Sequence, residues 1–229
     1  MKVVFCVPSL AGPTAPFIKA MEQSIPLVTG AGWVEALVQE VGNPYISAAR
    51  ATMLRKALDG GADVIVFLDY DLSWEPQDLL TLLETPGEVV AGLYRFKKDD
   101  EEYMGAWDTD PEGRPLVRDD GTIRATRVSA GYLKLTREAV ERFMRAYPDL
   151  CYGSPISPSV DLFNHGAHDG VWWGEDYAFS RRWLACGGEI HLLPDLNLTH
   201  HAPDRAYPGN LHQFLMRQPG GSLDPARAQ

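Results

Sequence analysis

The chain has few cysteines, no long apolar run and no surplus of positive charge, and each shortage excludes a class of protein. Its three cysteines, Cys6, Cys151 and Cys186, form neither an even set nor a C-x-x-C pair. A disulfide framework and a thiolate zinc site are thereby set aside, and a reducing cytoplasm is the expected location. No apolar stretch approaches the roughly 20 residues that cross a bilayer, so no stable membrane insertion is expected. The run Val3 to Val7 is too short for a signal-peptide core and meets Pro8 at once. Lys and Arg number 21 against 31 Asp and Glu, a formal net charge of −10. That sign repels phosphate backbones and makes nucleic acid the least favoured partner. Glycine-rich phosphate loops of the Walker or dinucleotide type are missing, which argues against a nucleoside triphosphatase or a dehydrogenase. No internal repeat is evident.

What remains is the profile of a globular protein, 45% hydrophobic and 23% charged over 229 residues. That length suits a single domain, expected over residues 1–218, with a disordered tail over 219–229. Up to Val90, strand and helix signals alternate. A strand over Val3 to Val7 is followed by a loop rich in Pro and Gly and an undecided stretch, Trp33 to Val41. A helix then follows Pro44, with Ser47 as its cap, helix formers from Ala48 to Leu58, and Gly60-Gly61 as its stop. The apolar run Val64 to Leu68 reads as a strand buried on both faces, Pro76 to Leu83 as a helix and Glu88 to Leu93 as a strand. This alternation predicts a parallel or mixed Rossmann-like sheet.

Beyond Arg95 the signals change to those of antiparallel structure. Pro115 to Val117 and Thr122 to Arg124 flank a tight turn at Asp119-Asp120-Gly121. A strand from Val128 to Leu135 leads into a helix capped by Thr136 and running to about Tyr147. Pro148 to Gly170 reads as a mobile flap, because a loop that long is more often functional than ornamental. A helix over Glu175 to Ala185 and strands over Ile190 to Leu193 and Leu196 to Thr199 complete the chain, the last delivering His200.

Four groups of residues carry chemistry. Asp69 and Asp71 end the buried strand, where ligands of open α/β sheets bind, and two acids there repel unless a cation separates them. Taken alone, such a pair is as often a plain acidic turn. Glu175 and Asp176 open a helix after Gly174 and the apolar wall of Trp172 and Trp173; simple capping is the lesser alternative for two acids there. His200 and His201 end the late strand, but alternation sends neighbours to opposite faces, so one at most reaches a metal. Arg50, Arg95, Lys97 and Lys98 are the cations that could meet phosphate, Arg through paired bonds and Lys as a point charge.

In their order, Val7-Pro8-Ser9, Ala48-Ala49-Arg50, Asp69-Tyr70-Asp71, Val90 to Tyr94, Ser129 to Leu133, Gly174-Glu175-Asp176-Tyr177 and His200 resemble the GT-A-fold glycosyltransferases of the family 2-like kind. The resemblance spans about Val3 to His201. It implies a three-layer α/β/α sandwich with a mainly parallel central sheet and a small antiparallel hairpin region. It further implies transfer of a sugar from a UDP- or GDP-sugar donor to an acceptor hydroxyl, with Mn²⁺ or Mg²⁺ on the diphosphate. Asp71 and His200 would be direct metal ligands, and Asp69 would contact ribose or a metal-bound water. Pro8, Ser9 and Arg50 would lie near the nucleotide, with Lys97 among the cofactor-binding candidates for its charge, and Ser129 to Gly131 along the acceptor or donor-sugar pocket. Asp176 would be the general base of an inverting reaction, with Glu175 supporting the acceptor. The acceptor stays open among a glycan, a lipid-linked glycan, a small molecule and a modified nucleobase. Three other readings stand beside it: a haloacid-dehalogenase-like phosphatase using Asp69 and Asp71, a nucleotidyltransferase, and a non-catalytic sugar-binding module resting on Trp172, Trp173 and Trp183.

Overall fold

The computed structural model describes residues 1–218 and 223, so the tail expected beyond 218 lies, but for Leu223, outside the described residues. Strand β1 (Lys2–Ser9) is buried from Val3 onward. The Pro- and Gly-rich loop expected after it is in large part a helix, α1 (Ala15–Gly30). The Thr14 hydroxyl caps it by accepting from the Phe17 N–H, and Pro16 sits in the first turn, where no intrahelical N–H bond is lost. Pro26 does remove an interior bond. The buried stripe Phe17, Ala20, Met21, Ser24 and Val28 outweighs that loss by packing on the sheet.

The undecided stretch is an edge strand, β2 (Val34–Val41), parallel to β1. In α2 (Ile46–Asp59) the capping position falls to Tyr45, with no side-chain bond, and Ser47 lies inside the first turn instead of capping it. Strand β3 (Val64–Leu68) is buried at all five residues. It is followed by β4 (Leu72–Trp74), α3 (Pro76–Glu84) and β5 (Val89–Gly92). After β6 (Gly105–Trp107) the chain turns at Gly121, whose φ of 81° suits glycine, into β7 (Ile123–Val128).

The single strand expected from Val128 to Leu135 is broken at Ser129 to Gly131, so that β7 and β8 (Tyr132–Thr136) occupy different places in the sheet. Thr136 caps α4 (Arg137–Ala146) as expected, accepting from the Ala139 N–H. Residues 148–170 are not a featureless flap. They form a hairpin of β9 (Cys151–Ser154) and β10 (Ser157–Val160), then β11 (Gly166–His168), which pairs with β12 (Val171–Trp173). The second hairpin turns on Asp169-Gly170, both at positive φ, the pairing that a two-residue turn demands. Then come α5 (Glu175–Ala185), β13 (His191–Leu193), β14 (Leu198–His201), β15 (Ala206–Gly209) and α6 (Leu211–Arg217).

The central sheet runs β2-β1-β3-β8-β5-β13-β7-β6. Only β8 and β7 oppose the common direction, so the sheet is mainly parallel in sense. Alternation along β3 sends Val64, Val66 and Leu68 to one face, against Phe17 and Met21 of α1 and Leu79 and Leu82 of α3. Ile65 and Phe67 go to the other, against Met53 of α2, Phe143 of α4, and Phe179 and Trp183 of α5. The result is a three-layer α/β/α sandwich, each buried Leu or Phe contributing roughly 1.5–3 kcal/mol. Beside it, β4, β14 and β15 make a small antiparallel sheet. Among the described residues no helix is long and apolar enough to cross a membrane. The parallel strands β1, β3 and β5 end at Ser9, Leu68 and Gly92 on one edge, where the opposed β8 begins. That edge gathers Asp69, Asp71, Tyr94 and Gly131.

Candidate active site

A cavity of about 270 Å³ opens at this edge, lined by Pro8, Ser9, Arg50, Asp69, Asp71, Glu175 and His200, with Leu10, Asn43, Pro44, Ile46 and Tyr70 completing it. Three further residues singled out in the sequence stand behind this lining. Lys97 touches Asp71, Gly131 supports Asp69, and Asp176 follows Glu175 at the start of α5.

Asp69 is held from two sides. Arg50, 4% exposed at its side chain, donates from Nη2 to Asp69 Oδ1 at 3.0 Å and from Nη1 to Glu175 Oε1 at 2.8 Å. Its guanidinium also lies 5.2 Å from the centre of the Phe163 ring. Burial alone would lower the Arg50 pKa, but the facing Asp69 and Glu175 charges outweigh it and raise it. The other Asp69 oxygen accepts from the Tyr94 hydroxyl at 2.7 Å. Burial, reinforced by Asp69, lifts that phenol well above its ordinary pKa, so it stays a donor. The backbone N–H of Asp69 donates to the Gly131 carbonyl. A Cβ at Gly131 would sit 2.2 Å from both Asp69 Oδ2 and the Tyr94 hydroxyl, so only glycine lets this carboxylate settle. Gly131, expected along a sugar pocket, therefore acts under Asp69.

Asp71 is placed differently. Its Oδ2 is 3.6 Å from His200 Nε2 and 2.5 Å from the Lys97 ammonium. Burial would push the carboxyl up, but His200 and Lys97 outweigh burial and hold it below its ordinary range. His200 Nδ1 lies 2.8 Å from the Arg95 carbonyl, which fixes a proton there and leaves Nε2 as the ring atom that faces Asp71. His201 turns to the other face and meets Ser73 Oγ at 2.8 Å, as alternation requires. Among the described residues no three carboxylate, imidazole or thiol side chains converge on one point. Asp71 and His200 are the two neighbouring side chains here whose donor atoms could hold a divalent ion. Asp69, expected beside the metal, has its oxygens on Arg50 and Tyr94 instead.

On the far side of Arg50, Gly174 opens α5 and leaves Glu175 and Asp176 in its first turn, where the helix dipole favours carboxylates. Burial, with the Glu175 charge adding to it, pushes Asp176 up to about 6. Of the three tryptophans in the sugar-binding reading, only Trp172 is open, at 70% exposure, its ring 5.9 Å from that of His165. Trp173 packs against Arg181, and Trp183 is wholly buried with its indole N–H on the Glu189 carbonyl. The expected wall of paired tryptophans is thus a single exposed ring. Tyr94 was not singled out from the sequence, although a polar residue just past an apolar strand is the signal that marked Asp69.

No protein-family model and no curated protein matches the sequence. Solved structures similar to it include a mannose-1-phosphate geranyltransferase from Thermus thermophilus, at 17% identity and a TM-score of 0.43 over 65% of this chain and 62% of that one. S. aureus TarS 1-349 in complex with UDP-GlcNAc is similar at 12% identity and 0.44, over 91% and 58%. A glycosyltransferase involved in glycosylation of the major capsid of PBCV-1 is similar at 12% and 0.33, over 60% and 61%. Each alignment spans about three-fifths of the other chain's length. With these TM-scores below 0.5, the function of this chain rests on its own side chains.

Proposed function

We propose that the chain is a glycosyltransferase that takes a sugar from a UDP- or GDP-sugar and passes it to an acceptor hydroxyl. The observation that carries this reading is the convergence of Asp71 and His200 with an Asp69 buttressed by Arg50 in one cavity at the C-terminal edge of parallel strands, with Lys97 paired to Asp71 behind its lining. A diphosphate leaving group gains negative charge as the glycosidic bond breaks, and positive charge at that point lowers the barrier. Asp71 and His200 would hold Mn²⁺ or Mg²⁺, which when bound supplies Lewis-acid stabilisation of the departing diphosphate. Pro8 and Ser9 form the floor for the nucleoside, and the ordered Asp69 carboxylate accepts from a ribose hydroxyl. Asp176, at about 6, is ionised at neutral pH yet basic enough to take the proton of an acceptor hydroxyl. A single base on the acceptor side suits inversion at the anomeric carbon. Glu175 precedes Asp176 in the first turn of α5, and the exposed Trp172, three residues upstream, would serve the acceptor.

The phosphatase reading needs Asp69 as a free nucleophile, whereas both its oxygens accept hydrogen bonds from Arg50 and Tyr94. The deciding experiment is a thermal-shift screen of nucleoside diphosphates and their sugars with and without Mn²⁺, because a ligand of the folded state raises the melting temperature by mass action. Stabilisation by UDP or GDP that depends on Mn²⁺ is the expected result. Stabilisation by glycans alone would favour a binding module, and by nucleoside triphosphates alone a nucleotidyltransferase.

A further inference from the structure

The position that a divalent ion would take beside Asp71 already has a positive charge at it. The Lys97 ammonium meets the same oxygen, Asp71 Oδ2, that faces His200 Nε2. Both of its neighbours there are fixed in place: His200 by its bond to the Arg95 carbonyl, and the Asp71 backbone by the His201 N–H on its carbonyl. Lys97 is the movable member. Its side chain is 33% exposed and, among the described residues, its ammonium bonds to Asp71 alone. The loop beneath it is anchored separately, through the Arg95 guanidinium on the carbonyls of Pro208, Lys98 and Asp99. An ammonium and a divalent ion repel each other strongly at such range and do not share one carboxylate oxygen.

We propose that Lys97 is an internal counter-ion that gates this site. It neutralises Asp71 while no nucleotide is present, and moves onto the diphosphate when one arrives, freeing Asp71 for the ion. The inference rests on the diphosphate reading above. Its consequence is coupling. Mn²⁺ alone must drive Lys97 off its carboxylate into water, whereas an incoming diphosphate gives the ammonium a new anionic partner, so ion and nucleotide strengthen each other's binding.

Calorimetry on the full chain and on Lys97→Met, which keeps the length and removes the charge, tests this with MnCl₂ alone, UDP or GDP in EDTA, and each nucleotide with Mn²⁺. The variant should bind Mn²⁺ alone about tenfold tighter and the nucleotide with Mn²⁺ about tenfold more weakly, a coupling loss of about tenfold when the affinity for the nucleotide in EDTA is unchanged. Lys97→Arg should behave like the parent. If Mn²⁺-dependent nucleotide binding exists and Lys97→Met leaves the affinity for Mn²⁺ alone unchanged, the gate is refuted and the diphosphate reading survives. If neither protein binds UDP or GDP in any arm, the diphosphate reading fails and the gate with it.

Discussion

A methyl group at Gly131 would stand 2.2 Å from Asp69 Oδ2. The break between β7 and β8 and the placement of the site's first carboxylate are therefore one event: the chain turns where no side chain fits, and Asp69 takes the space. Gly131→Ala is expected to cost about 1–3 kcal/mol through overpacking and to weaken nucleotide binding, because Asp69 cannot yield without losing Tyr94 or Arg50. Chemical denaturation together with calorimetry reads both. Unchanged values would mean that Asp69 is not held in place by this packing.

Arg50 joins the two halves of the cavity, Asp69 from the end of β3 and Glu175 from α5. Arg50→Met leaves both carboxylates without their buried partner, and a loss of about 3 kcal/mol is expected in chemical denaturation, at the low end for a broken buried pair because both acids keep some contact with water. Arg50→Lys should recover part of it, since one ammonium cannot serve both acids as a planar fork does.

Asp71→Ala should abolish the Mn²⁺-dependent part of UDP or GDP binding, read by calorimetry, and lower stability at neutral pH because the carboxylate paired with Lys97 and His200 is lost. Normal binding with the same response to Mn²⁺ would sink the central assignment.

Asp176 makes two predictions about pH. Its folded value of about 6 lies above the ordinary 3.8, so folding favours the protonated form, and that contribution is lost as pH rises through about 6. Asp176→Asn should thus leave stability unchanged near pH 4 and raise it above pH 6, on the order of 2 kcal/mol after allowing for partial contact with water. The same variant should bind nucleotide normally and lose transfer. In the parent, kcat/KM should rise through about pH 6 as the base ionises, and Glu175→Gln, which removes a charge that raises Asp176, should move that limb to lower pH.

Trp172 and Trp183 separate acceptor recognition from folding. Trp172→Ala, at an exposed position, should change stability by less than about 0.5 kcal/mol and raise the acceptor KM alone. Trp183→Phe removes a buried indole and its bond to Glu189, and should lower the melting temperature without touching the acceptor KM. Equal effects of both on KM would remove Trp172 from the acceptor side.

Much of this architecture is legible in the sequence because it comes from strong local signals: the five-residue apolar β3, the Thr136 cap and the Asp120-Gly121 turn. Helix α1 is not, because Pro16 and Pro26 read as breakers although the first is harmless in the opening turn and the second is outweighed by tertiary burial. The two hairpins within 148–173 escape notice for a related reason. Their strands are three or four residues long, and most contain Ser, Pro or Gly, so pairing with a partner decides them rather than propensity. In the site, the acids and His200 are visible as residue types at strand ends. The partners that give Asp69 and Asp71 separate tasks, Tyr94 for one and the Lys97 ammonium for the other, depend on which strands lie side by side.

The β11–β12 hairpin forms a two-stranded sheet of its own, turns on Asp169-Gly170 and passes the chain straight to Gly174. Pro8 and Ser9, by contrast, end a strand locked into the main sheet. On the proposed reading, the two halves of substrate choice are separately inheritable. Substitutions at the hairpin tip can redirect the enzyme to a new acceptor while Asp69, Asp71 and Arg50 remain as they are, so descendants of this chain that share a donor need not share a target.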